Sequence, residues 1–351
     1  MPHAFDRYAS GHSGRIIETD IVLRAIAISA VVFNHSHPVR PFNYAGGMTV
    51  LLMLAGYSLA RFALSRTETQ DLPTVILRFA TRIWLPCLAI VLASFAIRRQ
   101  FDLAELLFIS NWFPGNDLAF LFVWYPQVVV QLLLCLALVF SIPAAARQFT
   151  ARPLAATLIV FLIVFAAGRL FSQDHVPDAL RTIPPQRIAW NFILGCLVFF
   201  ALASPLAPRW NRVALVSLTI ACAALAFGLR SLEFWTLSMS VVLLSYWPRL
   251  RLPESLARLF QIVGQASFTI FLLHVIFLRI YTLGLGLENQ SGAWLFAMCG
   301  SLLAWLMATA TLRVWRRLKG NDWLRRSLAP VLPGSLLAHL RPLRLGRLER
   351  H

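Results

Sequence analysis

The sequence predicts an all-α, polytopic membrane protein with about ten transmembrane helices. The 351-residue chain is 58% hydrophobic and has a mean hydropathy of +0.69, which is far more apolar than a soluble domain. Apolar runs of spanning length recur from residue 21 to residue 314, with polar links between them. The basic residues lie in those links and at the chain ends, so the formal charge of +17 does not indicate nucleic-acid binding.

Polar or proline-containing segments bound the first five spans. A link with two prolines follows the first span, a polar turn at residues 66–71 follows the second, and a charged connection at residues 98–117 follows the third. Within that connection, residues 103–112 are expected to form a short interfacial helix. These breaks place the spans at about residues 21–36, 46–64, 75–97, 118–142 and 153–171.

Similar breaks separate the last five spans. A polar loop with prolines precedes residue 186, and a tight turn at residues 230–233 precedes the eighth span. We place these spans at about residues 186–203, 213–229, 233–247, 259–285 and 292–314. An arginine-rich tail at residues 319–351 completes the chain.

The arginine distribution predicts the orientation. An even number of spans puts both ends on one side, and the links after spans two, four, six and eight carry most of the arginines. Because cytoplasmic links are enriched in Lys and Arg, we expect both termini to be cytoplasmic. Residues 1–20 are then a cytoplasmic segment on the membrane surface, and residues 319–351 are a basic cytoplasmic tail. The five cysteines lie inside apolar runs without ligand spacing, so no metal site is expected.

Two polar residues in the first span are the strongest functional signal. Arg24 and His35 lie about 16 Å apart along one helix, with Arg24 toward the cytoplasmic face and His35 toward the outer face. Ionisable groups inside a bilayer are costly and usually functional. Arg78 and Arg82 begin the third span on the cytoplasmic side, and His274 lies in the outer half of the ninth. Arginine binds phosphate, and a neutral histidine can accept a proton from a hydroxyl.

Each of these residues also has a structural interpretation. Arg78 and Arg82 can serve as positive-inside anchors, and a single membrane histidine such as His274 can simply bond a neighbouring carbonyl. The fourth span carries Trp124, Tyr125, Gln127 and Gln131. The two glutamines can hold helices together, while the aromatic pair suits either an interface anchor or a substrate platform.

Four stretches in order resemble the membrane-bound acyltransferase family 3, whose members O-acylate sugars and glycans. Arg24 and His35 match its Arg-x10-His signature. The other matches are Gly46-Gly47 with Leu54-Ala55-Gly56-Tyr57, the run from Arg78 through Arg82 to Pro86, and the run from Gly264 through Ser267 to His274. The sequence departs from the family where Asp20 stands four residues before Arg24 instead of three, and where Trp124-Tyr-Pro-Gln127 lacks a carboxylate.

The resemblance implies an enzyme of the bacterial inner membrane with an acyltransferase domain at residues 21–318. It would transfer an acyl group, most simply acetyl, from cytoplasmic acyl-CoA to a hydroxyl of a sugar or glycan. Catalysis would fall to His35 as general base and Arg24, and CoA binding to Arg24, Arg78 and Arg82. His274, Trp124, Tyr125 and Gln127 are the candidates for acceptor binding.

Two rival functions remain open at this point. A transporter or flippase of an anionic or lipid-linked saccharide could use the same path from arginine to histidine, although no inverted repeat is visible. A purely structural membrane protein would leave the intramembrane Arg24 and His35 unexplained. The acceptor and the oligomeric state are not specified by the sequence.

Overall fold

A computed structural model of the protein describes residues 14–36, 46–68, 71–99, 101–113, 120–170, 185–204, 208–287 and 289–320. Helices dominate these ranges, as predicted. They are α1 Thr19–Ser36, α2 Gly46–Phe62, α3 Leu72–Arg98, α4 Leu103–Leu106, α5 Phe120–Phe140, α6 Pro143–Ala151, α7 Pro153–Leu170, α8 Pro185–Ala203, α9 Pro208–Phe227, α10 Leu232–Tyr246, α11 Glu254–Arg279 and α12 Gln290–Gly320. A π-helical turn, Ile280–Gly284, continues α11. The predicted links at residues 37–45 and 172–184, and the tail from residue 321, lie outside the described ranges.

Ten of these helices occupy the positions predicted for the ten spans. By length and apolar character, seven described helices suffice to cross a membrane, or eight if the bent pair α5 and α6 forms one span. That pair is bent by 98°. Helix α10 has only 15 residues, and α1 carries four strongly polar side chains among its 18 residues, namely Asp20, Arg24, Asn34 and His35. The all-α polytopic class is confirmed, and the number of ten spans stays a prediction.

The expected interfacial helix at residues 103–112 is a more irregular segment. It contains the single turn α4 and a 3₁₀ turn, Ser110–Trp112. The Asp102 side chain caps α4 by accepting from the Ala104 N–H at 2.8 Å. Phe108 separates the two turns with a left-handed backbone conformation at φ 59°, which ends the first turn after four residues.

The spans divide into a central and a peripheral set. About two-thirds of α2 and α8, and half of α11, are buried against other helices (67%, 67% and 50%). Only 17–22% of α3, α7, α9 and α12 is buried, so most of their apolar surface faces outward as lipid-facing helices require. Helix α1 packs against α2, α11 and α12. The two helices that carry His35 and His274 are therefore direct neighbours.

Glycines allow the central helices to approach each other closely. A Cβ at Gly56 would lie 1.8 Å from the Phe192 carbonyl oxygen, and one at Gly195 would lie 1.8 Å from the Met53 carbonyl oxygen. Between α1 and α11, a Cβ at Gly264 would lie 2.6 Å from the Ile21 carbonyl oxygen. Small residues at membrane helix contacts allow this backbone-level packing.

A two-stranded ribbon ties the beginning of α1 to the beginning of α11. Strand β1, Gly14–Glu18, runs antiparallel to β2, Arg249–Pro253, with Ile16 opposite Arg251. Each strand leads directly into its helix. Residues 1–20 were expected to be a polar surface segment, and strand β1 was not predicted within it. The pairing partner of this strand lies more than 200 residues away, and its five residues carry no clear alternation of polar and apolar side chains.

Candidate active site

Arg24 lies inside the bundle, where α1 meets α2. Its Nη2 donates to the Ser58 hydroxyl and, at 3.3 Å, to the Leu54 carbonyl oxygen. Its Nε lies 3.8 Å from Oδ2 of Asp20, one turn earlier on α1. The Arg24 side chain is 25% exposed, so it is held by α2 without being enclosed.

A cavity of about 200 Å³ opens beside Arg24. Its walls are mostly apolar and come from α2, α3, α5 and α11. They are formed by Leu51, Ala55, Ser58, Phe79, Ile83, Tyr125, Val129, Ser267, Phe268 and Phe271. Ligand pockets usually measure about 300–1,000 Å³. A cavity of this size suits a slender segment of a ligand rather than a whole nucleotide.

His35 and His274 form a hydrogen-bonded pair. The His35 Nδ1 lies 2.7 Å from the His274 Nε2, and the rings stack with centroids 5.0 Å apart. His274 is fully buried in α11, whereas His35 is exposed near the end of α1. The sequence placed both histidines in the outer half of the membrane, and the structure brings them into contact.

The hydrogen bonds of His274 determine which nitrogens carry protons when both rings are neutral. Its Nδ1 faces the carbonyl oxygens of Phe271 at 2.6 Å and Ile270 at 3.2 Å. Carbonyl oxygens only accept, so this Nδ1 carries the proton and the His274 Nε2 is an acceptor. The His35 Nδ1 must then donate to it. The proton-accepting atom of neutral His35 is consequently its Nε2.

Aromatic contacts connect the cavity with the histidine pair. The Phe271 ring lines the cavity and lies 5.7 Å from the His274 ring, centroid to centroid. Tyr125 lies 5.0 Å from Phe271, and its hydroxyl donates to the Leu51 carbonyl oxygen at 3.1 Å. The cavity therefore extends from Arg24 to within one aromatic ring of His274.

Three other predicted site residues lie apart from this cavity. Arg78 and Arg82 are exposed on α3, whereas the neighbouring positions Phe79 and Ile83 face the cavity. Successive residues on a helix are rotated by about 100°, which explains why adjacent positions face different ways. Trp124 is half-buried and contacts the Tyr125 ring edge-on, with centroids 6.3 Å apart. Their predicted roles in CoA and acceptor binding stay predictions.

Gln127 belongs to a buried polar cluster under the 3₁₀ turn. Its Oε1 accepts from the Ser110 hydroxyl at 3.0 Å and from the Asn111 N–H at 3.2 Å. Gln131 exchanges hydrogen bonds with the Asn111 side chain, at 2.8 and 3.3 Å. These bonds fasten the connection between α3 and α5 to α5 and explain Gln127 without a substrate.

An ion-pair network at the N-terminal end of α1 was not foreseen from the sequence. Arg61 makes two hydrogen bonds to Glu18 at 2.9 and 2.6 Å, and it reaches Asp20 Oδ1 at 3.6 Å. The hydrogen bonds from Arg61 lower the pKa of the Glu18 carboxyl from its ordinary value of 4.5. Asp20, close before Arg24 in a hydrophobic span, was the one signal that could have indicated a network here.

Together these features define an integral-membrane helical protein with an arginine beside an internal cavity and a titratable histidine pair that the Phe271 ring separates from that cavity. The described residues contain no group of three or more metal-ligating side chains.

A family comparison identifies the class more closely. The model of the acyltransferase 3 domain matches residues 21–312, which is most of the chain. The chain therefore belongs to the membrane acyltransferase family 3. No curated protein and no solved structure matches it. The chain is an acyltransferase of the membrane, as the sequence motifs indicated.

Proposed function

We propose that this acyltransferase moves an acyl group, most simply acetyl, from cytoplasmic acyl-CoA to a hydroxyl of a sugar or cell-surface glycan on the outer side of a bacterial inner membrane. The observation that carries this proposal is the cavity beside Arg24, because one of its wall residues, Phe271, also contacts the His274 ring of the histidine pair. A cytoplasmic donor and an outer acceptor require a path through the bundle that has an anion-binding group at one end and a base at the other.

The size of the cavity suits part of the donor. At about 200 Å³ it is too small for the whole of CoA, but it can take a flexible, mostly unbranched arm such as pantetheine. Arg24 would then bind the phosphate end of the donor, helped at the cytoplasmic surface by Arg78 and Arg82. The apolar walls exclude water from the thioester, which protects it from hydrolysis.

His35 is the proposed general base. Its Nε2 would take the proton of the acceptor hydroxyl as that oxygen attacks the thioester carbonyl carbon. The C–S bond then breaks, CoA leaves as a thiolate, and the proton on His35 returns to the sulfur. His274 is the proposed orienting partner, because its Nε2 accepts from His35 Nδ1 and can stabilise the charged ring. The sugar would be bound beside exposed His35, with Trp124 and Tyr125 as candidate contacts.

The test compares cells that carry the wild type, the His35→Ala variant or no copy of the gene. We expect one ester-linked acyl group on the surface glycans to disappear in both the variant and the null cells. The purified wild type should release CoA from acyl-CoA when an acceptor is supplied, and the variant should not. Normal transfer by a well-folded His35→Ala protein would contradict the assignment of the base. Accumulation of a glycan precursor with unchanged esters would instead indicate transport of a saccharide.

A further inference from the structure

Asp20 is the carboxylate that pairs with Arg24, but it does not use all the N–H donors of the Arg24 guanidinium. Asp20 Oδ2 lies 3.8 Å from Arg24 Nε, which is beyond hydrogen-bond distance. The Nη2 group is bound by Ser58 and Leu54, and Nη1 has no hydrogen-bond partner among the described residues. Arg24 therefore keeps donor capacity for a ligand beside the cavity that it lines.

A second arginine, Arg61, lies about as close to Asp20 as Arg24 does. Oδ1 of Asp20 lies 3.6 Å from Nη1 of Arg61, near the end of α2. The Asp20 side chain is only 8% exposed, so its charge needs a nearby cation. Because Arg61 supplies part of that compensation, Arg24 does not have to supply all of it.

Strand β1 holds Arg61 in this position. Glu18, its last residue, accepts two hydrogen bonds from the Arg61 guanidinium, at 2.9 and 2.6 Å. Paired guanidinium–carboxylate bonds of this kind restrict the orientation of the arginine. The pairing of β1 with β2 in turn fixes Glu18 opposite Arg249. The ribbon thus reaches the donor cavity through Glu18, Arg61 and Asp20.

The charges explain what would follow from the loss of Arg61. The network holds two carboxylates, Glu18 and Asp20, and two guanidinium groups, Arg24 and Arg61. Without Arg61, Asp20 would have Arg24 as its remaining cation in the network, at the i, i+4 spacing that permits close pairing on a helix. Such a pair would use the N–H groups that Arg24 offers to a ligand.

We propose that Arg61 is a positioning residue for the donor site: held by Glu18, it shares the charge of Asp20 and keeps Arg24 available to the phosphate end of CoA. This inference rests on the proposed function, since it takes Arg24 as the anion-binding group. It assigns the N-terminal strand to the donor site, although β1 itself does not line the cavity.

The experiment measures CoA binding and acyl-CoA turnover by the full chain in lipid nanodiscs. Arg61→Gln should weaken CoA binding about tenfold and raise KM for acyl-CoA to a similar degree, because charge-assisted contacts from Arg24 are lost. The value of kcat at saturating donor should change less than about twofold, since the histidine pair is untouched. Arg61→Lys keeps the charge and should retain most of the affinity.

A second substitution makes the test specific. If Arg61 acts by sharing the charge of Asp20, then neutralising Asp20 removes the need for it. The double variant Asp20→Asn/Arg61→Gln should therefore bind CoA nearly as tightly as the wild type. Arg258→Gln is the matched control, since Arg258 pairs with Glu254 in an exposed i, i+4 ion pair at the start of α11. It should leave CoA affinity unchanged.

The outcomes separate the inference from the proposed function. A wild type that binds no CoA would refute the proposed donor. If the wild type binds CoA, an Arg61→Gln variant with unchanged affinity would overturn the positioning role alone. A double variant as weak as Arg61→Gln would also overturn it. If Arg61→Gln does not fold, the CoA affinities of the double variant and of Arg61→Lys provide the test. Weak CoA binding by both would refute the proposal.

Discussion

His274 illustrates at the residue scale how a buried side chain can direct an exposed one. Its Nδ1 is committed to two carbonyl oxygens of its own helix, which leaves Nε2 to accept from His35. The sequence alone allowed His274 to be a structural histidine that bonds a neighbouring carbonyl. The structure shows this bond and also makes His274 the partner of His35, the proposed base. The structural interpretation of His274 is therefore compatible with the proposed functional one.

We predict that His274→Leu lowers kcat by about 100-fold or more, because His35 loses both its orientation and the partner that stabilises its charged form. His274→Gln should recover part of this loss, since an amide oxygen can accept from His35 Nδ1. Initial rates of acyl-CoA turnover at saturating donor measure both variants. Equal rates for the Leu and Gln variants would contradict the proposed hydrogen bond.

Gln127 allows the structural and functional interpretations to be separated directly. We predict that Gln127→Ala lowers the thermal unfolding temperature but leaves KM for the acceptor unchanged, because the Ser110 hydroxyl and Asn111 N–H lose their buried acceptor. The cost of such unsatisfied groups is about 1–3 kcal/mol. Thermal unfolding in detergent and acceptor kinetics provide the two measurements. An increased KM with an unchanged unfolding temperature would instead place Gln127 in the acceptor site.

At the scale of elements, the ribbon is stabilised by the Glu18–Arg61 ion pair, and its stability should depend on pH. Hydrogen bonds from Arg61 lower the pKa of Glu18 below 4.5, so the folded state favours the charged carboxylate. This stabilisation is present above the pKa of the unfolded state and is lost as pH falls through the lower, folded value. We predict that the wild type unfolds at a higher temperature than Glu18→Gln at pH 7, and that the difference disappears at low pH. A constant difference between pH 7 and pH 3 would contradict the prediction.

The contact between α2 and α8 depends on glycine at two facing positions. We predict that Gly195→Ala destabilises the bundle by about 1–3 kcal/mol or more, because its Cβ would lie 1.8 Å from the Met53 carbonyl oxygen. Gly284→Ala is the control, since the nearest atom to its Cβ is 3.8 Å away and the change should be well tolerated. The yield of monodisperse protein and its unfolding temperature measure both effects. Similar losses for the two variants would argue against backbone contact as the cause.

For the whole molecule, the apolar runs were sufficient to predict the fold class and the approximate position of every long helix. A helix that crosses a bilayer needs about twenty consecutive, mostly apolar residues, and runs of this length are easily recognised in a sequence. The ribbon, the Arg61 network and the cluster at Gln127 were not predictable in this way. Each joins short segments through side chains or strand pairing that leave no periodic trace in the sequence.

Only some residues of the candidate site could be recognised in the sequence, for the same reason. Arg24, His35 and His274 are visible because polar residues are rare in apolar spans. Ser58 and Phe271, which contact Arg24 and His274, have ordinary residue types and become relevant only when the helices are packed. Arg78 and Arg82 match the family pattern, yet they face away from the cavity that their helix lines.

The orientation of the whole chain is also testable. We predict that the C-terminus lies in the cytoplasm, because the arginines of alternate links favour that side. Green fluorescent protein fused to the C-terminus should then fluoresce, and alkaline phosphatase fused there should be inactive. Paired fusions to alkaline phosphatase, which is active outside, and to green fluorescent protein, which is fluorescent inside, provide the measurement. High phosphatase activity at the C-terminus would reverse the predicted orientation. Arg24 would then lie toward the outer face and His35 toward the cytoplasmic face.

The histidine pair joins residues 35 and 274, which are 239 positions apart. During synthesis, His35 enters the membrane with the first helix and then remains without its partner until α11 has been made and inserted. A chain interrupted at any earlier point lacks the pair altogether, whatever else it has folded. If the pair acts as proposed, a chain that ends before residue 274 should not turn over acyl-CoA by this route.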